Sequence, residues 1–491
     1  MTLRIWLLVA CALAAYSCRS TETTSSGGKH WNVLLITIDT QRPDRLSCYG
    51  YKKHTTPAFD RLAQEGVRFA NAFCDVTWTT PSMSSVMTGT YPTRHGLRST
   101  YQRLAAENIT LAEVLRSQGY ATAAIVGSFP VAAMFGLDQG FDHYDDRFSA
   151  PIVIGAPTQP AKVESRFHEN IDDQRLFQML KARADAYRPD AEVSDTAIAW
   201  LETARPKGKP FFLWVHYFGP HELQDLRLSL EEQYRQIIDA YDGQVRETDR
   251  QLGRLLSVLD QLGLTANTLT ILHADHGQSL GEHLYVGHGR NLYDPTLRIP
   301  LLVRLPGVVP QGRVVQALAR NIDIFPTVLD LTGIRISHAI DGETLRTLWE
   351  LPGGQPAPAR ELYCETYMPA MSAFAQKVSF QGQEVALPFR RRGLRTQDWK
   401  YVVNEPWPML DFSNPPPIPD ELAQRERSEE LYDLRSNPLE LARGRITDRP
   451  DLVEEFRAKV ENYARQAAQP SERRELDEAA KERLRSLGYQ H

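Results

Sequence analysis

From Asn32 onward, short continuous apolar runs alternate with segments of helical periodicity, and this alternation constrains the fold more than any other property of the chain. Val33 to Ile38, Ala121 to Val126, Phe211 to Tyr217, Leu269 to Leu272 and Ile299 to Val303 are apolar almost throughout, the pattern of strands buried on both faces. Between them, Ala58 to Gln64, Leu111 to Ser117, Glu192 to Thr203 and Tyr241 to Leu259 carry apolar residues at three and four spacings, as amphipathic helices do. Strands alternating with helices predict an α/β fold in which a large, mostly parallel sheet lies between helical layers. In such sheets functional groups gather beyond the carboxyl ends of strands. Asp39 follows VLLITI, His221 follows FFLWVHYFGP, and Asp275 with His276 follows TLTILHA. One such residue alone is explained by solvation of a loop. Their convergence on one sheet edge is what a metal or catalytic centre requires.

The 491 residues, 42% hydrophobic and 24% charged, have the composition of a globular protein and exclude a disordered or collagen-like chain. The length allows roughly three domains by the usual prior, or one large α/β core with an appendage. The character changes near residue 335. LPGGQPAPAR (351–360) and EPWPMLDFSNPPPIPDE (405–421) are Pro-rich, LRTQDWKYVVN reads as a strand ending in a turn, and a helix starting at Pro450 aligns Leu452, Phe456, Val460 and Tyr463. The expectation is a catalytic domain over 32–335 and a smaller α+β subdomain over 336–491. With 56 basic and 61 acidic residues the formal charge is −5, and no nucleic-acid motif is present, which argues against a nucleic-acid partner. An anionic substrate must be held by local cations or a metal.

The N-terminus, MTLRIWLLVACALAAYSC, reads as a secretory signal over 1–18, with Arg4 ahead of an apolar run too short to span a bilayer. Cys18 fits a lipid-anchored export product about as well as a cleaved and released one, and 19–31 reads as a flexible tether. Either route places the protein in the periplasm or at the cell surface, with Cys18 as its candidate membrane tether. Export permits a disulfide between Cys48 and Cys74, and Cys364 is left over.

Two segments carry chemistry. In VTWTTPSMSSVMTGTYPTRHG (76–96), Pro81 suits the first turn of a helix, and Thr79 or Thr80 sits where a hydroxyl can cap it and face the unpaired N–H groups that attract anions. In ADHGQSLGEHLYVGHG (274–289), Asp275, His276, His283 and His288 lie within one loop, a donor set suited to Zn, Mn, Mg or Ca. Arg94 and His95, after the TG turn, are candidate anion contacts and equally surface pairing groups. Trp78 and Trp214 read as core aromatics, and Asp242 and Asp249 as capping or pairing groups.

Together these segments resemble the sulfatase family of the alkaline phosphatase superfamily. The resemblance is carried by ITIDTQRPDRLSCYGY (36–51), TTPAFDRLAQEGVRFANAF (55–73), TWTTPSMSSVMTGTYPTRHG (77–96), FFLWVHYFGPHE (211–222), AYDGQVRETDRQLGRLL (240–256), ADHGQSLGEH (274–283), NIDIFPTVLDLTGI (321–334) and ELYDLRSNPLELA (430–442), in family order. It implies the family's fold, a divalent metal held by Asp39, Thr79, Asp275 and His276, and Thr79 at the place of the family nucleophile. It further implies substrate contacts or proton transfer by His221 and His283, with His288 near the place where many members carry a lysine.

Three departures bear on the chemistry that the resemblance implies. Thr79 stands where most sulfatases have the cysteine or serine that becomes formylglycine, so no formylglycine is expected, and Met83 replaces the arginine of the modification motif. Thr40 replaces a second ligand aspartate. IVGSF (125–129) lacks the usual lysine and histidine. The resemblance therefore implies a hydrolase of sulfate or phosphate esters, the phosphate mono- or diester favoured by the threonine, acting on a small anionic ester, a glycan or a lipid headgroup. A phosphoryl transferase to an alcohol acceptor and an inactive surface binding protein are the alternatives.

Overall fold

The computed structural model describes residues 30–53, 55–148, 163–164, 170–171, 181–182, 185–221, 230–352, 355–368, 376–380, 383–406, 420–466 and 476–487. The expected signal segment, nearly all of the expected tether, Cys18 and the Pro-rich stretch 407–419 lie outside these residues. In chain order, the strands of the large sheet are β1 (Asn32–Ile38), β2 (Val67–Phe73), β3 (Ala121–Val126), β4 (His143–Asp145), β5 (Phe211–Tyr217), β6 (Thr268–Ala274), β7 (Arg298–Ile299), β8 (Leu301–Arg304) and β9 (Arg313–Arg320). Their order is β7-β2-β8-β6-β1-β5-β3-β4, with β9 also paired to β2. The run β6-β1-β5-β3-β4 is parallel throughout. Antiparallel β8 joins that run to β2.

Every residue of β1, β5 and β6 is buried, as continuous apolar runs require. Side chains alternate between faces, so Val33 and Leu35 enter one core while Leu34, Ile36 and Ile38 enter the other. On the first face pack α2 (Thr79–Thr88), α3 (Leu111–Ser117) and α6 (Ile324–Thr332), and on the second α1 (Pro57–Glu65), α4 (Asp190–Ala199) and α5 (Leu230–Gln261). The expected run Ile299 to Val303 is interrupted at Pro300, which has no N–H to give a ladder, and its two pieces pair antiparallel rather than parallel. The expected helix Tyr241 to Leu259 begins earlier, at Leu230.

The C-terminal part forms a second, antiparallel sheet of β10 (Leu362–Met368), β11 (Phe389–Arg395), β12 (Trp399–Pro406) and β13 (Ser428–Asp433) in sequential order. LRTQDWKYVVN is thus the turn and flanks of a hairpin rather than one strand ending in a turn. Helix α7 (Pro450–Arg465) buries Phe456 and Val460, with Leu452 and Tyr463 partly buried, in the same core that lines the first face of the large sheet. Helix α8 (Glu478–Ser486) returns to pack Ala480 and Leu484 with Phe129 and Phe135 just beyond β3. Among the described residues no helix is long and apolar enough to cross a membrane. Cys48, Cys74 and Cys364 are free thiols. Cys74 lies in the first core while Cys48 packs against the second, so the large sheet separates the pair that export would have allowed to bridge.

Helix α1 lacks a local side-chain cap at Thr56. Asp249 of α5 supplies one, accepting from the backbone N–H of Ala58 at 3.0 Å and Phe59 at 3.1 Å. Asp249→Ala strands both donors in a buried place and is expected to cost about 1–3 kcal/mol in urea unfolding. A loss below about 0.5 kcal/mol would show that the cap carries no stability.

Candidate active site and metal centre

Strands β1 and β6 are neighbours with Ile38 opposite Ala274, so the residues that follow them, Asp39 and Asp275, leave the sheet at the same level. The ligand atoms of Asp39, Asp275 and His276 lie within 4.8 Å of one another, and all three residues are buried. The turn after Asp39 is strained: Thr40 has φ 57°, a conformation β-branched residues seldom take. That turn aims the Thr40 N–H at Asp275 Oδ1 at 3.1 Å, and the His276 N–H reaches the same oxygen at 2.8 Å. Tyr241 of α5 holds the turn, its hydroxyl donating to the Thr40 carbonyl at 2.7 Å and accepting from the Arg42 N–H at 2.8 Å.

Both carboxylate oxygens of Asp39 and the remaining oxygen of Asp275 are buried without a hydrogen-bond partner among the described residues. Burial, and then the Asp275 carboxylate beside it, push the Asp39 carboxyl well above its ordinary range. Unpaired buried carboxylates are expensive unless a cation compensates them. The imidazole completes the set. His276 Nδ1 stands 3.0 Å from the Gly277 carbonyl, which can only accept, so Nδ1 carries the proton and Nε2 presents a lone pair. Nε2 lies 3.2 Å from Thr79 Oγ1. Two carboxylates, an imidazole lone pair and a hydroxyl fit a divalent cation.

Thr79 is the first helical residue of α2, and Trp78, with no side-chain cap bond, is the N-cap. The expected threonine cap is therefore absent: Thr79 meets His276, and Thr80 donates instead to the Pro130 carbonyl at 2.6 Å. All ten residues of α2 are buried. Ser82 ties the helix to the centre by donating to the Asp275 carbonyl at 2.6 Å, and Asn321 donates to Ser82 Oγ at 3.2 Å and to Asp75 at 2.7 Å. Ser85 donates to Asp75 at 2.6 Å and lies 3.0 Å from His95 Nε2.

His221, just beyond β5, and His288 meet through their Nε2 atoms at 3.1 Å. His288 Nδ1 lies 3.1 Å from the Thr77 carbonyl and so carries a proton, and its ring sits 4.3 Å from that of His276. One further proton is shared between the facing Nε2 atoms. Trp78 is half-buried here rather than in the core, its ring 5.3 Å from His288, whereas Trp214 is fully buried as expected of a core aromatic.

The sulfatase family model matches residues 31–334, more than half of the chain. The chain belongs to the sulfatase family. The model described as N-sulphoglucosamine sulphohydrolase, C-terminal, matches residues 281–431. N-acetylglucosamine-6-O-sulfatase of Bacteroides thetaiotaomicron is 24% identical, over 84% of this chain and 85% of that protein. Human iduronate 2-sulfatase is 26% identical over 89% and 95%. Among solved structures, the phosphonate monoester hydrolase of Agrobacterium radiobacter shares the fold at a TM-score of 0.64 and 20% identity, over 89% of this chain and 96% of that one. The protein is a sulfatase-like ester hydrolase.

Within this sulfatase scaffold two of the residues expected at the site lie elsewhere. His283 stacks on Tyr293 at 3.8 Å and lines a different pocket. The loop that carries it turns through positive φ at Gly281, His283, Leu284 and Gly287, so His283 and His288 project to different sides. Arg94 grips Asp341, Nη2 to Oδ1 at 2.6 Å and Nε to both carboxylate oxygens at 3.0 Å. It sits in the turn Pro92–His95 past the far end of α2, about 15 Å of helix from Thr79. Met83 is fully buried in the first core, a place with no room for a solvated arginine. Asn321 and Tyr241 were not singled out as site residues from sequence, and Trp78 was read there as a core aromatic. A polar residue inside the apolar NIDIF run was the available signal for Asn321.

The network below α2 makes stability depend on pH. Burial, with Arg98 nearby, pushes His95 down to about 3. The unfolded chain takes up this proton near pH 6.5 whereas the fold refuses it, so the contribution is present above pH 6.5 and lost as pH falls. By pH 5 the loss from His95 amounts to about 2 kcal/mol. Urea unfolding at pH 7.5 and 5.0 should show the native chain losing about that much more than His95→Asn. Equal losses would show that His95 is not the responsible group.

Proposed function

We propose that this protein hydrolyses a sulfate or phosphate ester through Thr79, with a phosphate mono- or diester preferred, at a centre where Asp39, Thr79, Asp275 and His276 hold one divalent cation. The observation that carries the reading is Thr79 Oγ1 at 3.2 Å from the lone pair of His276 Nε2, beside three buried carboxylate oxygens with no other partner. A bound divalent cation would neutralise the carboxylates, favour the Thr79 alkoxide and offset charge on the ester oxygens.

The remaining chemistry belongs to the chain. Thr79 Oγ forms a bond to the central sulfur or phosphorus as the bond to the ester oxygen breaks. The proton shared by His221 and His288 passes to that oxygen, which leaves as an alcohol, and the proton lost by Thr79 restores the pair. Water then cleaves the threonine ester, giving its proton back to Thr79 and releasing the inorganic anion from a monoester or a phosphate monoester from a diester. A threonine has no aldehyde hydrate to collapse, so this second attack is obligatory, and we assign activation of the water to the His221–His288 pair. The absence of cysteine or serine at position 79 means the protein works without formylglycine.

The names of the relatives favour an anionic glycan ester as substrate, and the phosphonate hydrolase neighbour supports extending the range to phosphorus esters. The N-terminal segment favours action outside the cytoplasm, with Cys18 as the candidate lipid anchor.

Thr79→Ala should lower turnover at least a thousandfold on a panel of aryl sulfate, phosphate monoester, phosphate diester and phosphonate substrates while the melting temperature is kept. Undiminished turnover would remove Thr79 as the nucleophile. Asp39→Asn should lose bound metal, read by elemental analysis of the purified protein. Added Zn, Mn, Mg or Ca should restore activity to chelator-treated native chain but not to this variant. Native protein that turns over fully after chelation would overturn the metal assignment.

A further inference from the structure

The loop that brings His288 to the centre has a second side. There, residues 283–285 and 290–293 face the open surface of β11, β12 and β13 across a cavity of about 490 Å³, within the range of small-molecule sites. None of the residues proposed to hold the metal or attack the ester lines it. Arg391 of β11 enters this cavity with one hydrogen bond, from Nε to Asn404 Oδ1 at 2.5 Å, and makes no ion pair among the described residues. Burial, and then the neighbouring Arg290 guanidinium, push Arg391 below its ordinary range.

The nearby Glu430 carboxylate offsets this only in part. Glu430 is already engaged by Arg445 at 2.8 Å, by the Tyr432 hydroxyl at 2.8 Å and by the Tyr293 hydroxyl at 3.2 Å. Two guanidinium groups at one wall, one of them with its terminal N–H groups uncommitted among the described residues, suit an oxyanion taken in a forked grip. Flat walls come from the Tyr293 ring stacked on His283 and from Tyr285, under the Arg290 guanidinium at 5.6 Å. At the mouth, Leu284 is 99% exposed and, like His283, is held at φ 55°. Consecutive strained residues that hold an apolar side chain in water are retained at functional sites more often than elsewhere.

We propose that this cavity is a second anion site, apart from the metal centre, that takes a ring-sized organic oxyanion: a sulfate, phosphate or carboxylate carried on a sugar or aryl body, held by Arg391 and Arg290 with the ring against Tyr293 and Leu284. The Tyr285 hydroxyl donates to the His288 carbonyl, so the occupant rests on the loop that carries His288. The site does not depend on Thr79 chemistry, and its test is separable from that of the proposed function.

Calorimetric titration of the full chain with glucosamine 6-sulfate, glucuronate, 4-nitrophenyl phosphate, inorganic sulfate and neutral glucose tests it. The Asp39→Asn variant, in which the metal centre is disabled, should bind the ring-bearing anions and not glucose. Arg391→Gln introduced into that background should weaken binding at least tenfold. Leu284→Asp, a change at a fully exposed position that adds a carboxylate at the mouth, should weaken it severalfold and keeps the test valid if Arg391→Gln does not fold. Inorganic sulfate bound as tightly as the ring-bearing anions would overturn the ring contact. No binding of any anion at millimolar concentration, or affinity unchanged by both substitutions, would overturn the site itself.

Discussion

Asp39 and Asp275 set the terms for the rest of this structure. Two carboxylates that leave adjacent parallel strands at one level, both buried, repel one another and have lost water, and the described residues offer only backbone N–H groups to one of their four oxygens. Such an arrangement persists only where the surroundings over-determine it and a cation is the natural complement. The strained Thr40 turn, its clasp by Tyr241 and the Ser82 bond from α2 to the Asp275 carbonyl are the means by which the fold holds it.

Hydrogen-bond logic extends from that pair to Thr79 and the neighbouring histidines. Carbonyls at Gly277 and Thr77 fix protons on the Nδ1 atoms of His276 and His288, which turns the Nε2 of one toward Thr79 and the Nε2 of the other toward His221. The same backbone device thus sets both tautomers, and what each Nε2 faces separates the imidazole beside Thr79 from the one paired with His221, although their rings lie 4.3 Å apart. The loop through Gly281 and Gly287 then gives the same segment a second face, where Arg391 and its neighbours form a cavity of different character.

Much of the fold was legible because burial on both faces leaves a plain trace: continuous apolar runs became β1, β3, β5 and β6, and the residues after three of them became site residues. The errors have equally specific causes. Pro300 broke one run into antiparallel pieces, since a missing N–H outweighs apolar character. Thr80 turned to the Pro130 carbonyl, a partner fifty residues away. His283 and His288 differ by five positions in a loop with no periodicity, so nothing in their spacing reveals that they face opposite ways. Arg94 was drawn to Asp341, 247 residues on, and Cys48 and Cys74 fell on opposite faces of a sheet that spacing does not register.

The sequence by itself determined the alternating architecture, the residue types at the strand ends, and a threonine rather than a cysteine or serine at position 79. Periodicity and chemical identity are local properties, and local properties survive in a one-dimensional string. Tertiary structure alone decided which oxygens of Asp39 and Asp275 lie without partners, which nitrogen of each histidine carries the proton, and that Arg391 opens into a cavity while Arg94 closes on an aspartate. Those outcomes depend on desolvation and hydrogen-bond competition among groups brought together from distant segments, and such competition exists only once the chain has folded.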